Sequence, residues 1–150
     1  MLAQPVFYVG GSPFIPALHL QTIRPVTISS NKTIAEFARV LRDHRNGETR
    51  PIDPRLLDQL HDVREKLGLS QAFRVISGYR SPTSNAMLHE RSSGVASNSL
   101  HLQGRAIDIS APGIALERLR AAALDAHAGG VGYYPRSGFV HLDTGRVRVW

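Results

Sequence analysis

The sequence predicts an α+β domain: a small, mostly antiparallel sheet with helices packed on one side. Three observations lead there. Apolar residues recur at helical spacing early in the chain, and short alternating stretches separated by turn residues dominate the later part. At 150 residues the chain has enough length for one core and little more. A run of helices followed by antiparallel strands with helices between them is an α+β pattern.

Met1–Ser30 reads as an extended, turn-rich entry segment with short apolar pieces at Val6–Val9 and Pro25–Ile28. Thr33 and Glu36 have capping-box spacing, and Ile34, Phe37, Ala38 and Leu41 follow on one helical face, with Gly47 at or beyond the end. A second helix starts at Asp53 with Pro54 in its first position, carries Leu56, Leu60, Val63 and Leu67 on one face, and stops at Gly68. Phe73–Ser77 alternates and is β-branched, which predicts a strand; a third helix over Thr83–Arg91 and a small polar loop over Ser92–Ser99 come next. Gly104–Ser110 is a strand with Ile107 and Ile109 on one face and Ala106, Asp108 and Ser110 on the other. Pro112–Gly113 breaks it, and a fourth helix runs to about His127. Val131–Tyr134, Phe139–Asp143 and Arg146–Val149 are three short strands, the last two reading as a tight hairpin through Thr144–Gly145.

Composition narrows the chemistry. The chain has no cysteine, so disulfides, thiolate metal sites and cysteine nucleophiles are excluded, and any metal must be held by His, Asp or Glu. Formal net charge is +6, and Lys32 and Lys66 are the only lysines among 18 basic residues. The basic excess lies beyond Leu67, whereas Lys32–Lys66 is nearly balanced. This favours an anionic partner such as cell wall, with a solvated basic surface as the plainer reading. A nucleic-acid module is disfavoured, because the arginines are scattered and aromatics make up only 7%. No apolar run is long enough for a membrane span. The first cationic side chain is Arg24, and Pro5, Gly10, Gly11, Pro13 and Pro16 interrupt Met1–Leu20, so no leader is read in the chain as written. An exported protein would have had its leader removed, or would carry it outside this chain.

The informative stretch is Ser99–Asp108. Asp108 stands between two isoleucines that face the core, so its own face is the opposite one, where an aspartate needs a partner. His101 lies at the mouth of that strand, Gly104 permits a sharp turn, and Ala106 leaves room in front of the sheet. His141 and Asp143 form a second His–acid pair, with Val140 and Leu142 turned to the core. If the two strands are neighbours, His101, Asp108 and His141 converge. Two imidazoles and one carboxylate leave a fourth position open, as a catalytic zinc requires, and bound Zn²⁺ depresses the pKa of water and polarises a carbonyl. The alternative is that His101 caps a turn and Asp108 satisfies backbone donors.

Ser99-Leu-His101-Leu-Gln-Gly104-Arg-Ala106-Ile-Asp108 resembles the SxHxxGxAxD signature of the metallopeptidases grouped with D-alanyl-D-alanine peptidases, lysostaphin and the hedgehog signalling domain. Ser77-Gly-Tyr-Arg-Ser-Pro82 resembles the SGYRS turn that precedes it in that group. Gly129-Gly-Val-Gly-Tyr-Tyr-Pro135 and Phe139-Val-His-Leu-Asp-Thr-Gly145 resemble the closing segment of the murein endopeptidase K branch. The resemblance implies a hedgehog/DD-peptidase-like fold, with residues 1–30 as an extended N-terminal segment and 31–150 as a single zinc metallopeptidase domain. It implies a periplasmic or otherwise extracytoplasmic, monomeric enzyme that cuts peptide cross-links in peptidoglycan. Zn²⁺ would be held by His101, Asp108 and His141. Arg80 matches an arginine that binds a substrate carboxylate or polarises the scissile carbonyl, which suits a guanidinium fork; the plainer reading is a turn arginine bonding carbonyls. Ser99 matches a motif serine near the substrate that orients a ligand.

One departure matters. Relatives place a glutamate three residues before the last histidine, or a histidine two before it, as general base; here Gly138 and Phe139 stand there, and neither moves a proton. Asp143 is the substitute expected as base, with His127 next. Tyr133 and Tyr134 are candidate donors to an oxyanion, and strand alternation lets only one face the site, with Tyr134 taken as the substrate-binding one. His19, His44, His61 and His89 show no ligand spacing among themselves and read as packing or surface residues. Two rivals remain. A non-catalytic zinc-containing module that binds cell-wall peptides would tolerate the missing base. A 2-His-1-carboxylate iron site built on His141-x-Asp143 would call for an all-β jelly roll rather than four helices.

Overall fold

Local capping and apolar spacing set the helices that carry the core. The computed structural model describes residues 31–69 and 72–150, with backbone alone for 31–34; the expected extended segment Met1–Ser30, His19 included, lies outside the described residues. Helix α1 spans Asn31–Val40, which includes Thr33. Helix α2 spans Pro54–Leu67: Asp53 caps it by accepting from the Arg55 amide, and Gly68 ends it in the left-handed region. Helices α3 (Pro82–Arg91) and α4 (Leu116–Ala126) follow the expected order, α3 capped by the Ser81 hydroxyl.

Five strands form one sheet: β1 (Arg74–Ser77), β2 (Ala106–Ser110), β3 (Gly130–Tyr134), β4 (Phe139–Asp143) and β5 (Arg148–Val149), in the order β1-β2-β4-β3-β5. The pairings among β1 to β4 are antiparallel. The fold is therefore α+β, with a small and mostly antiparallel sheet. The expected hairpin between β4 and β5 does not form. β4 already has β2 on one edge and β3 on the other, so β5 crosses to the free edge of β3 and pairs there in parallel, Gly130 with Arg148 and Val131 with Val149.

One face of the sheet is apolar. Ile107, Ile109, Val131, Val140 and Leu142 pack with Leu56, Leu57, Leu60 and Val63 of α2 and with Leu119 and Ala123 of α4 in a single buried cluster. Each of these Leu, Ile and Val side chains contributes about 1.5–3 kcal/mol relative to exposure, so this face anchors the fold. Among the described residues no helix is long and apolar enough to cross a membrane.

Between the loop read over Ser92–Ser99 and β2, the chain forms a 3-10 turn at Leu100–Gln103, which Gly104 ends at φ 66°. Gly104 accepts the Asp53 amide on its carbonyl, which ties this turn to the start of α2. Thr144, just after β4, donates its hydroxyl to Asp53 Oδ2 (2.7 Å) and its amide to the Arg105 carbonyl. The turn carrying His101 is thus fixed from the scaffold side.

Candidate metal centre

The second face of the sheet is built row by row. Register places Ser77 beside Asp108, Asp108 beside His141, and His141 beside Gly132 across β1, β2, β4 and β3. An irregularity between Val75 and Ser77 in β1 brings Ser77 into that row. His101 is delivered from the 3-10 turn, where Ser99 accepts its backbone amide at 3.3 Å. His101, Asp108 and His141 are all buried, and one ligand atom from each lies within 4.8 Å of the others. The floor of a cavity of about 550 Å³ carries this cluster, and Arg45, Arg80, Tyr134, Phe139 and Trp150 are on its walls.

Hydrogen bonding shows what the cluster is suited to hold. His101 Nδ1 lies 2.7 Å from the Gly78 carbonyl, and a carbonyl only accepts, so Nδ1 carries the ring hydrogen. Nε2 then presents a lone pair to Asp108 Oδ1 at 3.2 Å, acceptor facing acceptor. The same Oδ1 is 2.9 Å from His141 Nδ1. An oxygen and two imidazole nitrogens that converge in this way fit a divalent metal cation with mixed N/O ligation. Asp108 Oδ2 is reserved for Arg80, whose Nη2 donates at 2.8 Å while its Nε donates to Ser77 Oγ at 3.0 Å.

His141 is held from behind. Its Nε2 donates to Asp143 Oδ2 at 2.8 Å. Asp143 is fully buried and also accepts from the Gly130 and Gly145 amides and from both terminal nitrogens of Arg148, at 3.0 and 2.8 Å. Glycine at 130 leaves room for the Asp143 carboxylate and the Arg148 guanidinium, which an added Cβ would crowd. A carboxylate behind a ligating imidazole fixes its tautomer and orientation.

Charge states follow from these contacts. Burial opposes the Asp108 charge, yet the hydrogen bond and positive charge of His141 hold its carboxyl well below the usual range. Asp143 is likewise held low against burial by His141, Arg148 and the Gly145 amide. Burial lowers His101 and keeps it neutral, outweighing the attraction of Asp108. His141 behaves oppositely: burial disfavours its charge, but hydrogen bonds to Asp108 and Asp143 push it up to about 8. In the metal-free protein a proton on His141 balances the cluster.

The other sequence candidates separate clearly. Tyr134 faces the cavity, whereas Tyr133 turns to the helix layer and donates its hydroxyl to Glu117 Oε1 at 2.9 Å. His127 is exposed past the end of α4 in the left-handed region, φ 49°, with its ring on the Asp125 carbonyl. His44 and His61 are half-buried and His89 is exposed, all away from the cluster. Sequence reasoning missed Arg148 and Trp150, because the hairpin expectation put β5 beside the wrong strand. The available signal was Gly130 and Gly132, two glycines on the same strand face, which mark a strand that something else lies over.

A sequence profile of the peptidoglycan L,D-endopeptidase MepK family matches residues 25–150. The chain belongs to this family. It is 49% identical over 117 residues to the peptidoglycan L,D-endopeptidase MepK of Escherichia coli (strain K12), covering 78% of this chain and 64% of the relative. It is 44% identical over 112 residues to the probable peptidoglycan L,D-endopeptidase MepK of Haemophilus influenzae, covering 74% of this chain and 60% of that protein. The matched region thus spans a little under two thirds of the length of these MepK proteins.

Proposed function

We propose that this member of the MepK family is an extracytoplasmic, zinc-dependent hydrolase of peptide cross-links in peptidoglycan, with residues 31–150 as one peptidase domain. The observation that carries the reading is the convergence of His101 Nε2, Asp108 Oδ1 and His141 Nδ1 on the floor of an open cavity. One matched relative is named as a peptidoglycan L,D-endopeptidase and the other as a probable one. These three residues would hold the ion, which supplies Lewis acidity for a carbonyl oxygen and a lowered pKa for water.

The remaining groups divide the work. Arg80 anchors Asp108 through Nη2 and Ser77 through Nε. Its other terminal nitrogen has no protein partner among the described residues, and we assign it to a carboxylate or carbonyl oxygen of the substrate. Ser99 accepts the His101 amide, which helps to set His101, and its hydroxyl hydrogen is left to donate to a substrate oxygen. We reassign Asp143. With five donors on its two oxygens, no exposure and a strongly lowered pKa, it keeps His141 in place and has no lone pair free to take a proton from water. Tyr134 faces the cavity as a donor to substrate.

The test is digestion of purified cross-linked muropeptide dimers with zinc and with a chelator, read by mass spectrometry. Chelator-sensitive conversion to monomers is expected, and the product masses name the amide cut. Stoichiometric zinc binding without cleavage would instead favour a wall-peptide binding module.

A further inference from the structure

Trp150 belongs to the cavity wall, yet none of the roles assigned above uses it. Its indole Nε1–H donates to the Tyr134 hydroxyl oxygen at 2.7 Å. Indole nitrogen only donates, so Tyr134 must be the acceptor in that bond, and its own hydrogen is left to point elsewhere. A hydroxyl that already accepts one hydrogen bond becomes a stronger donor in the next.

Both rings are held. Tyr134 stacks on Phe139, centroids 4.7 Å apart and 21° between planes. Trp150 is pinned by its amide on the Val131 carbonyl, by the Tyr133 amide on its own carbonyl, and by the Arg148 guanidinium 4.7 Å from its ring. It lies over Gly132, where an added Cβ would meet the indole at 2.8–2.9 Å. The ring also tilts against His141 at 5.2 Å. Even so, Trp150 remains 46% exposed, a large indole immobilised at an open cavity beside the candidate ligands. The Arg80 guanidinium and the Tyr134 phenol line the same cavity.

We propose that Trp150 is a positioning residue that makes the Tyr134 hydroxyl a dedicated donor, aimed with Arg80 at the carbonyl oxygen of the peptide bond to be cut. This rests on the proposed hydrolase function. Two fixed donors pointed at the oxygen where charge develops stabilise the transition state more than the ground state.

The experiment combines kinetics and NMR on Trp150→Phe, Tyr134→Phe and the double variant, using cross-linked muropeptide dimers. Tyr134→Phe should lower kcat about a hundredfold, as loss of one oxyanion donor does. Trp150→Phe should lower it about tenfold, since the donor is weakened and not removed. The double variant should be no slower than Tyr134→Phe, with KM and zinc stoichiometry unchanged throughout. Losses that multiply, an unaffected Trp150→Phe, or zinc occupancy falling in step with the rate would overturn the proposal. Because the chain has a single Trp, its indole N–H gives one signal in a ¹⁵N spectrum. That signal should move upfield and exchange faster in Tyr134→Phe, and a signal that does not move would also overturn it. If the wild type cleaves nothing, the hydrolase reading fails, and the indole signal still decides whether the Trp150–Tyr134 bond exists.

Discussion

Two buried aspartates sit at opposite ends of this molecule's chemistry. Asp43 follows α1 and accepts from the Ser81 amide at 2.8 Å and the Arg45 amide at 2.9 Å, with the Ser84 and Ser81 hydroxyls beside it. Every partner is a neutral donor that cannot change its charge. The carboxylate there is a staple that joins the end of α1 to the cap of α3. Asp108 is equally buried, but its partners are two imidazoles and a guanidinium. Fixed neutral donors leave nothing for a ligand to add. Titratable partners leave a place that a proton or a metal ion can fill. Burial and a lowered pKa mark both residues, so neither property separates scaffold from site; the chemistry of the partners does.

The sharpest way to break this contrast is Asp108→Asn. It should abolish zinc binding, measured by metal content after dialysis, while circular dichroism still reports a folded domain; retained stoichiometric zinc would remove Asp108 from the ligand set. Asp143→Asn should keep zinc but weaken it by roughly 10–100-fold in competition with a chromogenic chelator. Full affinity there would mean that Asp143 does not hold His141. Asp43→Ala should cost on the order of 3 kcal/mol in urea unfolding, because backbone donors are left buried without acceptors, and zinc affinity should stay at the wild-type value. A matching fall in affinity would erase the distinction between the two aspartates.

The smallest expected effect is a pH slope. The folded-state pKa of His141 is raised from 6.5 to about 8. Its protonation therefore stabilises the metal-free protein fully below 6.5, and that stabilisation is lost as pH rises through 8. A metal ion must displace this proton, so zinc affinity should rise about tenfold per pH unit up to about 8 and then level off. In Asp143→Asn the levelling point should move to lower pH, since one of the two carboxylates that raise it is gone. An unmoved levelling point would assign the titration to another group.

The apolar half of this design was legible because it is local. Alternation in Gly104–Ser110 and Phe139–Asp143 assigned Ile107, Ile109, Val140 and Leu142 to one face and Asp108, His141 and Asp143 to the other, and the sheet pairs those strands directly. The helices were readable from Asp53, Pro54 and Gly68 and from leucine spacing. What escaped is non-local. The parallel pairing of β5 with β3 depends on which sheet edge is free, and no run of residues encodes that. The partnership of Arg80 with Asp108 spans 28 positions, and Arg148, although only five residues from Asp143, reaches it because β5 lies beside β3. Motif resemblance supplied candidate ligands, but the partners that orient them came from tertiary structure.

β5 has only two residues and a single neighbouring strand. So short an edge detaches at a free energy far below that of global unfolding. When it lifts, Arg148 leaves Asp143 and Trp150 leaves Tyr134 in the same event, while the apolar layer against α2 and α4 stays shut. Readiness and foldedness are thus separate equilibria in this molecule. The amides of Trp150 and Tyr133, which close the last rungs of that edge, would exchange with solvent at the rate at which the centre is taken apart and rebuilt, long before the protein itself comes undone.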